Sequence, residues 1–455
     1  MSAPLPSDPA TDPSFSDLLE TRPTLTMDVR DGLLFEGVPL HVIAAAVGTP
    51  CWITGAKTLR RRARALKMAF EARDLPVSMH FAMKSQDHQA TLTLLRQCGY
   101  GVDIVSGGEM QRALHAGISP SGIVFSGVGK SDAELRAAIE HDIAQINVES
   151  VEELYRLDEI ARACGRVARA ALRVNPDVDA DTHDKISTGR AGDKFGIEYR
   201  RAVTLYGEAA SLKNVRLVGL AVHLGSQMLT AEPFRKGYAR LADMVREIRA
   251  AGHTVEAVDC GGGLGIRYRD EIAPSPDMLA GVIAETLGDL NVRLSIEPGR
   301  WLSAPTGILL SRVIETKAGS PESGPNFVVI DAAMNDLARP SLYESWHGIL
   351  PVAPTALHAP TKLWDIVGPV CESSDIFARD RALPATIKRG DLTVLLDTGA
   401  YGSVMSSTYN SRPFAAQVLV DNGKWDIIRQ RQSVAELIAS ETVPDWLTAS
   451  RNNNG

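Results

Sequence analysis

The feature that most restricts the fold is an alternation. Between residues 55 and 304, strand-like and helix-like stretches succeed one another around eight strand candidates. These are Val77–Met83, Gly101–Val105, Gly122–Phe125, Ile143–Val148, Ala168–Val174, Arg216–His223, Thr254–Asp259 and Arg293–Glu297. Apolar residues at helical spacing surround them, as in Lys57–Arg73, Gly107–Ala116, Ser131–His141 and Phe234–Ala251. Ser150-Val151-Glu152-Glu153 reads as a capping box at the start of a further helix. Eight strand–helix units over about 250 residues predict a (β/α)8 barrel of the TIM type. A doubly wound open sheet is the alternative, and the strand count favours the barrel.

The pattern changes after about residue 305. Helical periodicity becomes rare, and β-rich runs take over at Gly307–Lys317, Phe327–Asp331, Leu363–Val367 and Leu392–Asp397. Phe414–Val420 and Lys424–Arg429 flank Asp421-Asn422-Gly423, a hairpin turn signal. A C-terminal all-β domain, Greek-key or barrel-like, is predicted over 305–445. Residues 26–54 form a lead-in with one apolar helix and a short strand, Cys51–Thr54. Residues 1–25, rich in Pro, Ser, Asp and Thr, and residues 446–455 read as disordered tails.

Composition removes several function classes. A net charge of −7 argues against nucleic acid or an anionic membrane as the partner. The five cysteines (Cys51, Cys98, Cys164, Cys260 and Cys371) are odd in number and contain no CxxC pair. That fits a reducing compartment, with neither a disulfide framework nor a zinc site. No signal peptide and no membrane-spanning apolar run is present, so a cytoplasmic protein is expected.

The chemistry-bearing residues sit at strand ends. Lys84 follows the first strand, where the apolar run Val77–Met83 stops and Ser85-Gln86-Asp87 begins. A lysine delivered beside apolar surface has a lowered pKa and can form a Schiff base. Asp103 lies in strand two and Arg173 late in strand five; His223-Leu224-Gly225-Ser226 ends strand six. Gly261-Gly262-Gly263 follows strand seven, and Glu297-Pro298-Gly299-Arg300 ends strand eight. In a barrel all these ends open on one face, where active sites form. The three glycines suit a phosphate, because they let backbone N–H groups approach closely. They do not match the dinucleotide GxGxxG pattern. A lone histidine is more often a hydrogen-bonded core residue, and Glu297 is equally a partner for Arg300. Together, however, lysine, glycine loop, carboxylate and imidazole describe a pyridoxal phosphate site, the carboxylate keeping the pyridine nitrogen protonated. In the second domain, Asp331–Tyr343, the Cys371-Glu372 pair and Gly399-Ala400-Tyr401-Gly402 are the polar stretches of note.

These residues resemble a known family. FAMKS, GVDIVSGGEMQRALHAGI, IVFSGVGKS, INVESVEEL, RVNPDVDADTHDKISTG, KFGI, VHLGSQ, DCGGGLGI, EPGR, DAAMNDLARPSLY, VGPVCESSD, GAYG and SSTYNSRPF occur in the order seen in diaminopimelate decarboxylases. Those are fold-type III enzymes related to alanine racemase. The resemblance runs from about Gly48 to Gln430. It implies a pyridoxal phosphate barrel plus a β domain to which residues 26–54 also contribute. It implies that Lys84 holds the cofactor, His223 stacks on its ring and Glu297 pairs with the ring nitrogen. Asp103, Arg173, Ser226, Gly261, Gly262, Gly263, Gly299, Arg300 and Tyr401 complete the cofactor set. Arg300, Arg339, Tyr343, Glu372 and Tyr401 bind the substrate, and Cys371 is the proton donor. Cys371, Glu372 and Tyr401 are expected to come from the second subunit of an obligate homodimer. Members more often read YAVKAN where this chain has FAMKSQ, and carry leucine at Cys260; neither change removes a reactive group.

The expected reaction is decarboxylation of meso-2,6-diaminopimelate to L-lysine and CO2, the last step of lysine biosynthesis. Ornithine and lysine lack the distal carboxylate and would leave arginines unpaired. A related decarboxylase of ornithine, arginine or carboxynorspermidine is the enzymatic alternative. A cofactor-carrier protein would lack the second domain, and a racemase needs a second acid–base group in place of the Cys-Glu pair.

Overall fold

The computed structural model describes residues 12–176, 195–320 and 324–448. Residues 177–189, which carry part of the family resemblance, lie outside the described residues. The chain divides into two compact units. One comprises Gly55–Gly307 with Asp397–Val404; the other comprises residues up to Thr54, Ile308–Leu396 and those from Met405 onward.

In the first unit eight parallel strands close on themselves. They are β1 (Val77–Ala82), β2 (Gly101–Ile104), β3 (Ile123–Phe125), β4 (Gln145–Val148), β5 (Ala168–Asn175), β6 (Val215–Ala221), β7 (Ala257–Asp259) and β8 (Arg293–Ile296). Each pairs with its sequence neighbours, and β8 returns to β1 with Ile296 opposite Met79. The predicted barrel is what forms; a doubly wound sheet would leave two open edges.

Local sequence explains the helices between strands. The helix Ala56–Glu71 buries Leu59, Ala63, Leu66 and Phe70, one stripe at helical spacing. Ser106, Ser131, Ser150 and Ser275 each accept a hydrogen bond from the N–H three residues on. Each cap contributes about 1 kcal/mol. The predicted capping box at Ser150 is only half formed. The Glu153 carboxylate turns away to the Glu149 N–H (3.1 Å) and to Lys130 Nζ (2.7 Å).

The second unit is a mixed sheet rather than a purely antiparallel one. Its strand order is Ile376–Pro384, Thr361–Val367, Phe327–Ile330, Gly307–Lys317, Cys51–Gly55, Ala416–Asp421 and Lys424–Arg429. Leu392–Leu395 and Ile349–Pro351 pair beside it. Phe327–Ile330 runs parallel to Thr361–Val367. The strand Cys51–Gly55 is buried on both faces: Cys51 and Ile53 join one apolar cluster with Phe35, Leu350 and Val418, while Trp52 joins another with Val328, Ile366 and Phe377. The Asn422-Gly423 turn links the last two strands, both residues at positive φ.

Three expectations need correction. Residues 15–20 form a helix capped by Ser14 and Asp17, and Leu25–Asp28 is a strand, so the described part of the predicted tail is ordered. The Ser and Asp content that reads as disorder supplies the cap instead. At the other end, Asp445–Thr448 is a helical turn. The helix Leu40–Val47 is the apolar one expected in the lead-in, but the stretch called all-β also carries the helices Arg339–Tyr343 and Val434–Ala439. Among the described residues no helix is long and apolar enough to cross a membrane.

Candidate active site

Sheet register assembles the site. Ala82 pairs with Asp103, Ala221 with Arg173 and Asp259, and Asp259 with Ser295. The carboxyl ends of the strands therefore lie level. Beyond Ala82 the chain makes one tight turn, Met83–Ser85. Met83 and Ser85 are buried, and Ser85 Oγ bonds back to Ala82 O at 2.8 Å. This pins the backbone on either side of Lys84, whose side chain keeps 31% of its exposure.

Lys84 Nζ lies 2.9 Å from Asp103 Oδ2. Burial alone would lower the lysine pKa, but Asp103 and Glu297 outweigh it and the net shift is upward. This overturns the expectation of a lowered value, because the sequence does not reveal that strand pairing sets a carboxylate beside the amine. Asp103 is fully buried, and its Oδ1 has no hydrogen-bond partner among the described residues. Glu297 is buried and accepts from Ser126 Oγ at 3.4 Å. Burial, then the carboxyls of Asp103 and Asp259, push its pKa well above the usual range. Burial, then Lys84 and Arg173, hold the His223 pKa far below its ordinary value, so the imidazole is neutral. Its Nδ1 accepts the Gly262 N–H at 3.2 Å.

The glycine loop is shaped by close backbone approach. A Cβ on Gly261 would stand 2.1 Å from Val222 O, and one on Gly262 2.3 Å from Glu297 O. Two of its amides are already used, however: Gly261 N–H donates to Asp259 Oδ1 (3.0 Å) and Gly262 N–H to His223. Among the described residues nothing accepts from the Gly263 N–H. Gly263 is thus the member of the triplet that presents a donor, at φ +114°.

Arg300 is held as a fork. Its Nε and Nη2 reach Ser226 Oγ at 3.2 and 2.9 Å, and its Nη1 reaches Tyr268 Oη at 2.9 Å. The Tyr401 ring lies under the guanidinium at 4.9 Å, and Tyr401 N–H donates to Ser85 O at 2.9 Å. Tyr401 therefore reaches this site from its own chain, in the segment Asp397–Val404 of the barrel unit, and not from a second subunit. A Cβ on Gly299 would meet Ala82 Cβ at 3.1 Å, so the small residue lets the Arg300 turn pack on the Lys84 turn. Arg173 is turned to Glu149 (2.5 Å) and stacks near Phe195, so it shapes the wall through an ion pair.

The second unit carries the remaining candidates. Arg339 is buried, with Nη1 2.9 Å from His347 Nε2, while His347 Nδ1 meets Leu396 O at 2.8 Å. That carbonyl selects the Nδ1–H tautomer, leaving Nε2 to accept from the guanidinium. Tyr343 ends the same short helix. Cys371 and Glu372 are exposed on a loop tied down by Asp375, which accepts from Met334 N–H (2.7 Å) and Val370 N–H (2.8 Å). Cys371 N–H donates to Asn410 Oδ1 at 3.2 Å.

Sequence reading passed over Ser126, Asn147, Glu149, Asp259, Glu109 and Tyr268. Asp259 was legible in principle, as the last residue of β7, one residue short of the glycines. The barrel also has a cavity of about 470 Å³ lined by Ser78, His80, Gln145 and Ser295. It opens near the amino ends of the strands, away from Lys84, on the face where such barrels carry stability rather than chemistry.

The barrel residues fit pyridoxal phosphate. Two buried carboxyls, Asp103 and Glu297, act on the Lys84 ammonium, Asp259 stands beside Glu297, and one oxygen of Asp103 is orphaned, which suits a ligand bringing a protonated ring. The glycine loop excludes side chains where a phosphate needs backbone.

Comparison with known proteins gives the same answer. Residues 56–304 match the family model described as pyridoxal-dependent decarboxylase, pyridoxal binding domain. The diaminopimelate decarboxylase of Zymomonas mobilis is 45% identical over 418 residues, covering 91% of this chain and 98% of that protein. The crystal structure of the M. jannaschii diaminopimelate decarboxylase in co-complex with L-lysine superposes with a TM-score of 0.87 at 33% identity, covering 94% of this chain and 99% of that one. That of the Helicobacter pylori enzyme complexed with L-lysine gives 0.84 at 36%, covering 88% and 98%. The chain belongs to the diaminopimelate decarboxylase family of pyridoxal-dependent decarboxylases.

Proposed function

We propose that this chain decarboxylates meso-2,6-diaminopimelate to L-lysine and CO2, with pyridoxal phosphate as cofactor. The observation that carries the reading is Lys84, set at a strand end among Asp103, His223 and Glu297 in a barrel whose relatives bear that enzyme name. Bound pyridoxal phosphate supplies an electron sink for the pair left when CO2 departs.

The protein's own groups then have separate tasks. Lys84 holds the cofactor aldehyde, and Asp103 keeps the freed amine charged and in place. Glu297 holds the proton on the ring nitrogen, and neutral His223 offers a flat face to the ring. Gly263, Ser226, Gly299 and Arg300 receive the phosphate end; the Arg300 guanidinium held against Ser226 supports this. Arg300 and Arg339, with Tyr343 and Tyr401, bind the substrate; a guanidinium fork suits the distal carboxylate that ornithine lacks. Glu372 suits the distal ammonium. Cys371 protonates the α-carbon as a general acid. Cys371 and Glu372 act from the second subunit of a cytoplasmic homodimer. Their exposure on a firmly tied loop supports delivery to another chain.

CO2 release with pyridoxal phosphate across meso-diaminopimelate, lysine, ornithine and arginine tests the reading. Turnover of diaminopimelate alone is expected, and faster turnover of ornithine overturns it. Lys84→Ala should abolish the visible absorbance of the bound cofactor. Cys371→Ala should abolish turnover while leaving that absorbance intact.

A further inference from the structure

Four polar side chains run through a barrel interior where bulky aliphatic layers are the rule. Gln145 Nε2 donates to Asn147 Oδ1 at 2.7 Å. Asn147 Nδ2 donates to Ser126 Oγ at 3.0 Å and lies 3.5 Å from Asp259 Oδ2. Ser126 Oγ in turn donates to Glu297 Oε1 at 3.4 Å. Gln145, Asn147, Ser126 and Glu297 are all buried. Polar groups at such depth cost free energy unless they satisfy one another, and a satisfied network rigidifies its members.

The assigned directions leave no like atoms facing one another. Reversing the Asn147 amide would aim its oxygen at the Asp259 carboxylate and its NH2 at the Gln145 NH2. Asn147 therefore gives a proton to Ser126. A hydroxyl that has accepted there keeps its single proton for Glu297. We propose that Gln145, Asn147 and Ser126 form a positioning relay that fixes Glu297 Oε1 as an acceptor and leaves the other carboxylate oxygen to hold the ring-nitrogen proton of bound pyridoxal phosphate. This rests on the reading of Glu297 as the ring-nitrogen partner. The relay opposes what drives a proton onto Glu297, namely burial first, then the Asp103 and Asp259 carboxyls and a hydrogen bond shared with Asp259; Lys84 acts in the same sense as the relay. Without the Ser126 donor, Glu297 becomes the stronger base and draws the proton from the ring onto itself.

The experiment uses full-length protein loaded with pyridoxal phosphate labelled with nitrogen-15 in the ring, and reads the ring nitrogen by magnetic resonance. The unaltered protein should give the protonated-ring signal. Ser126→Ala and Asn147→Leu should each move it toward the unprotonated position and weaken cofactor binding about tenfold. The double variant should leave the ring signal no further moved than Ser126→Ala alone, since Asn147 acts on Glu297 only through Ser126. Glu297→Gln is the reference and should give a fully unprotonated ring. If Glu297→Gln leaves the signal unmoved, the reading of Glu297 is wrong. If Glu297→Gln moves it but Ser126→Ala does not, the relay is wrong. Ser126→Ala removes one oxygen atom and carries the test even if Asn147→Leu fails to fold. Additive losses in the double variant also overturn the relay.

Discussion

Lys84 Nζ and Asp103 Oδ2 stand 2.9 Å apart, the amine of a mostly buried lysine against a fully buried carboxylate. The pairing follows from register: Asp103 sits opposite Ala82, and Lys84 lies two residues past Ala82. The amine is thus stored charged, and its release to attack an aldehyde requires that Asp103 give up its hold. Asp103→Asn removes the strongest force keeping the proton on Lys84 while leaving burial, which disfavours the ammonium. Capture of pyridoxal phosphate by the cofactor-free protein should therefore extend to lower pH, with a rate at neutral pH higher by on the order of tenfold. Borohydride trapping followed across pH measures it, and an unchanged pH profile would show that Asp103 does not govern Lys84.

That relationship marks the limit of what the sequence revealed. Lys84 stood out because an apolar run stops at it, and the barrel stood out because eight such runs recur. Both are local patterns. The charge state of Lys84 depends on Asp103 and Glu297, which only strand pairing brings near. Gln145 and Asn147 occupy alternate positions of a strand, where polar residues read as a solvated face. In a closed barrel those positions point into the core. Tyr401 was misplaced because nothing local reveals that Asp397–Val404 returns to the barrel unit. For Gly261 and Gly262 the residue type was informative but the use of their amides was not.

Glu109, in the first turn of the helix after β2, makes stability depend on pH. Burial, with the charges of Asp103 and Asp87 and against Lys84, raises its pKa to about 7. A carboxyl with a raised folded value favours the fold when protonated. Its contribution is complete below the unfolded value and is lost as pH rises toward 7. The loss is at most about 3 kcal/mol, and smaller because the residue is partly exposed. Glu109→Gln should flatten the unfolding free energy between pH 4 and 7. Denaturant titrations at several pH values decide it; parallel curves for both proteins would exclude Glu109 as the titrating group.

Gly261→Ala should be severe. The added Cβ meets Val222 O at 2.1 Å, a backbone atom that cannot turn aside, and the position has φ +66°. Gly165 has nearly the same φ, +64°, with nothing within 4 Å of a Cβ. Gly165→Ala therefore carries only the conformational strain of roughly 1 kcal/mol. Gly261→Ala adds the clash, and a loss above about 3 kcal/mol is expected, together with weaker cofactor binding. Thermal unfolding of the two variants side by side separates strain from clash. Equal losses would mean the loop relaxes around the methyl group.

The Lys130–Glu153 pair explains why the loop after β3 keeps its shape. Lys130 Nζ is fully buried and bonds Glu153 Oε1, Gly127 O and Asn147 O at 2.7 to 2.8 Å. Burial nevertheless lowers the lysine pKa, Glu153 acting against it, so the ammonium depends on that carboxylate. Removing one partner strands a buried charge. Glu153→Gln or Lys130→Met alone should cost about 3 to 5 kcal/mol. The double variant leaves no unpaired charge and should cost clearly less than the sum of the two. Lys130 also anchors Asn147 O, so Lys130→Met should loosen Ser126 and Glu297, whereas Glu153→Gln should disturb them less. Urea unfolding of all three variants, with the bound-cofactor spectrum recorded on each, tests both statements. Additive losses would mean that the two groups act independently and that the buried pair is not the unit holding the loop.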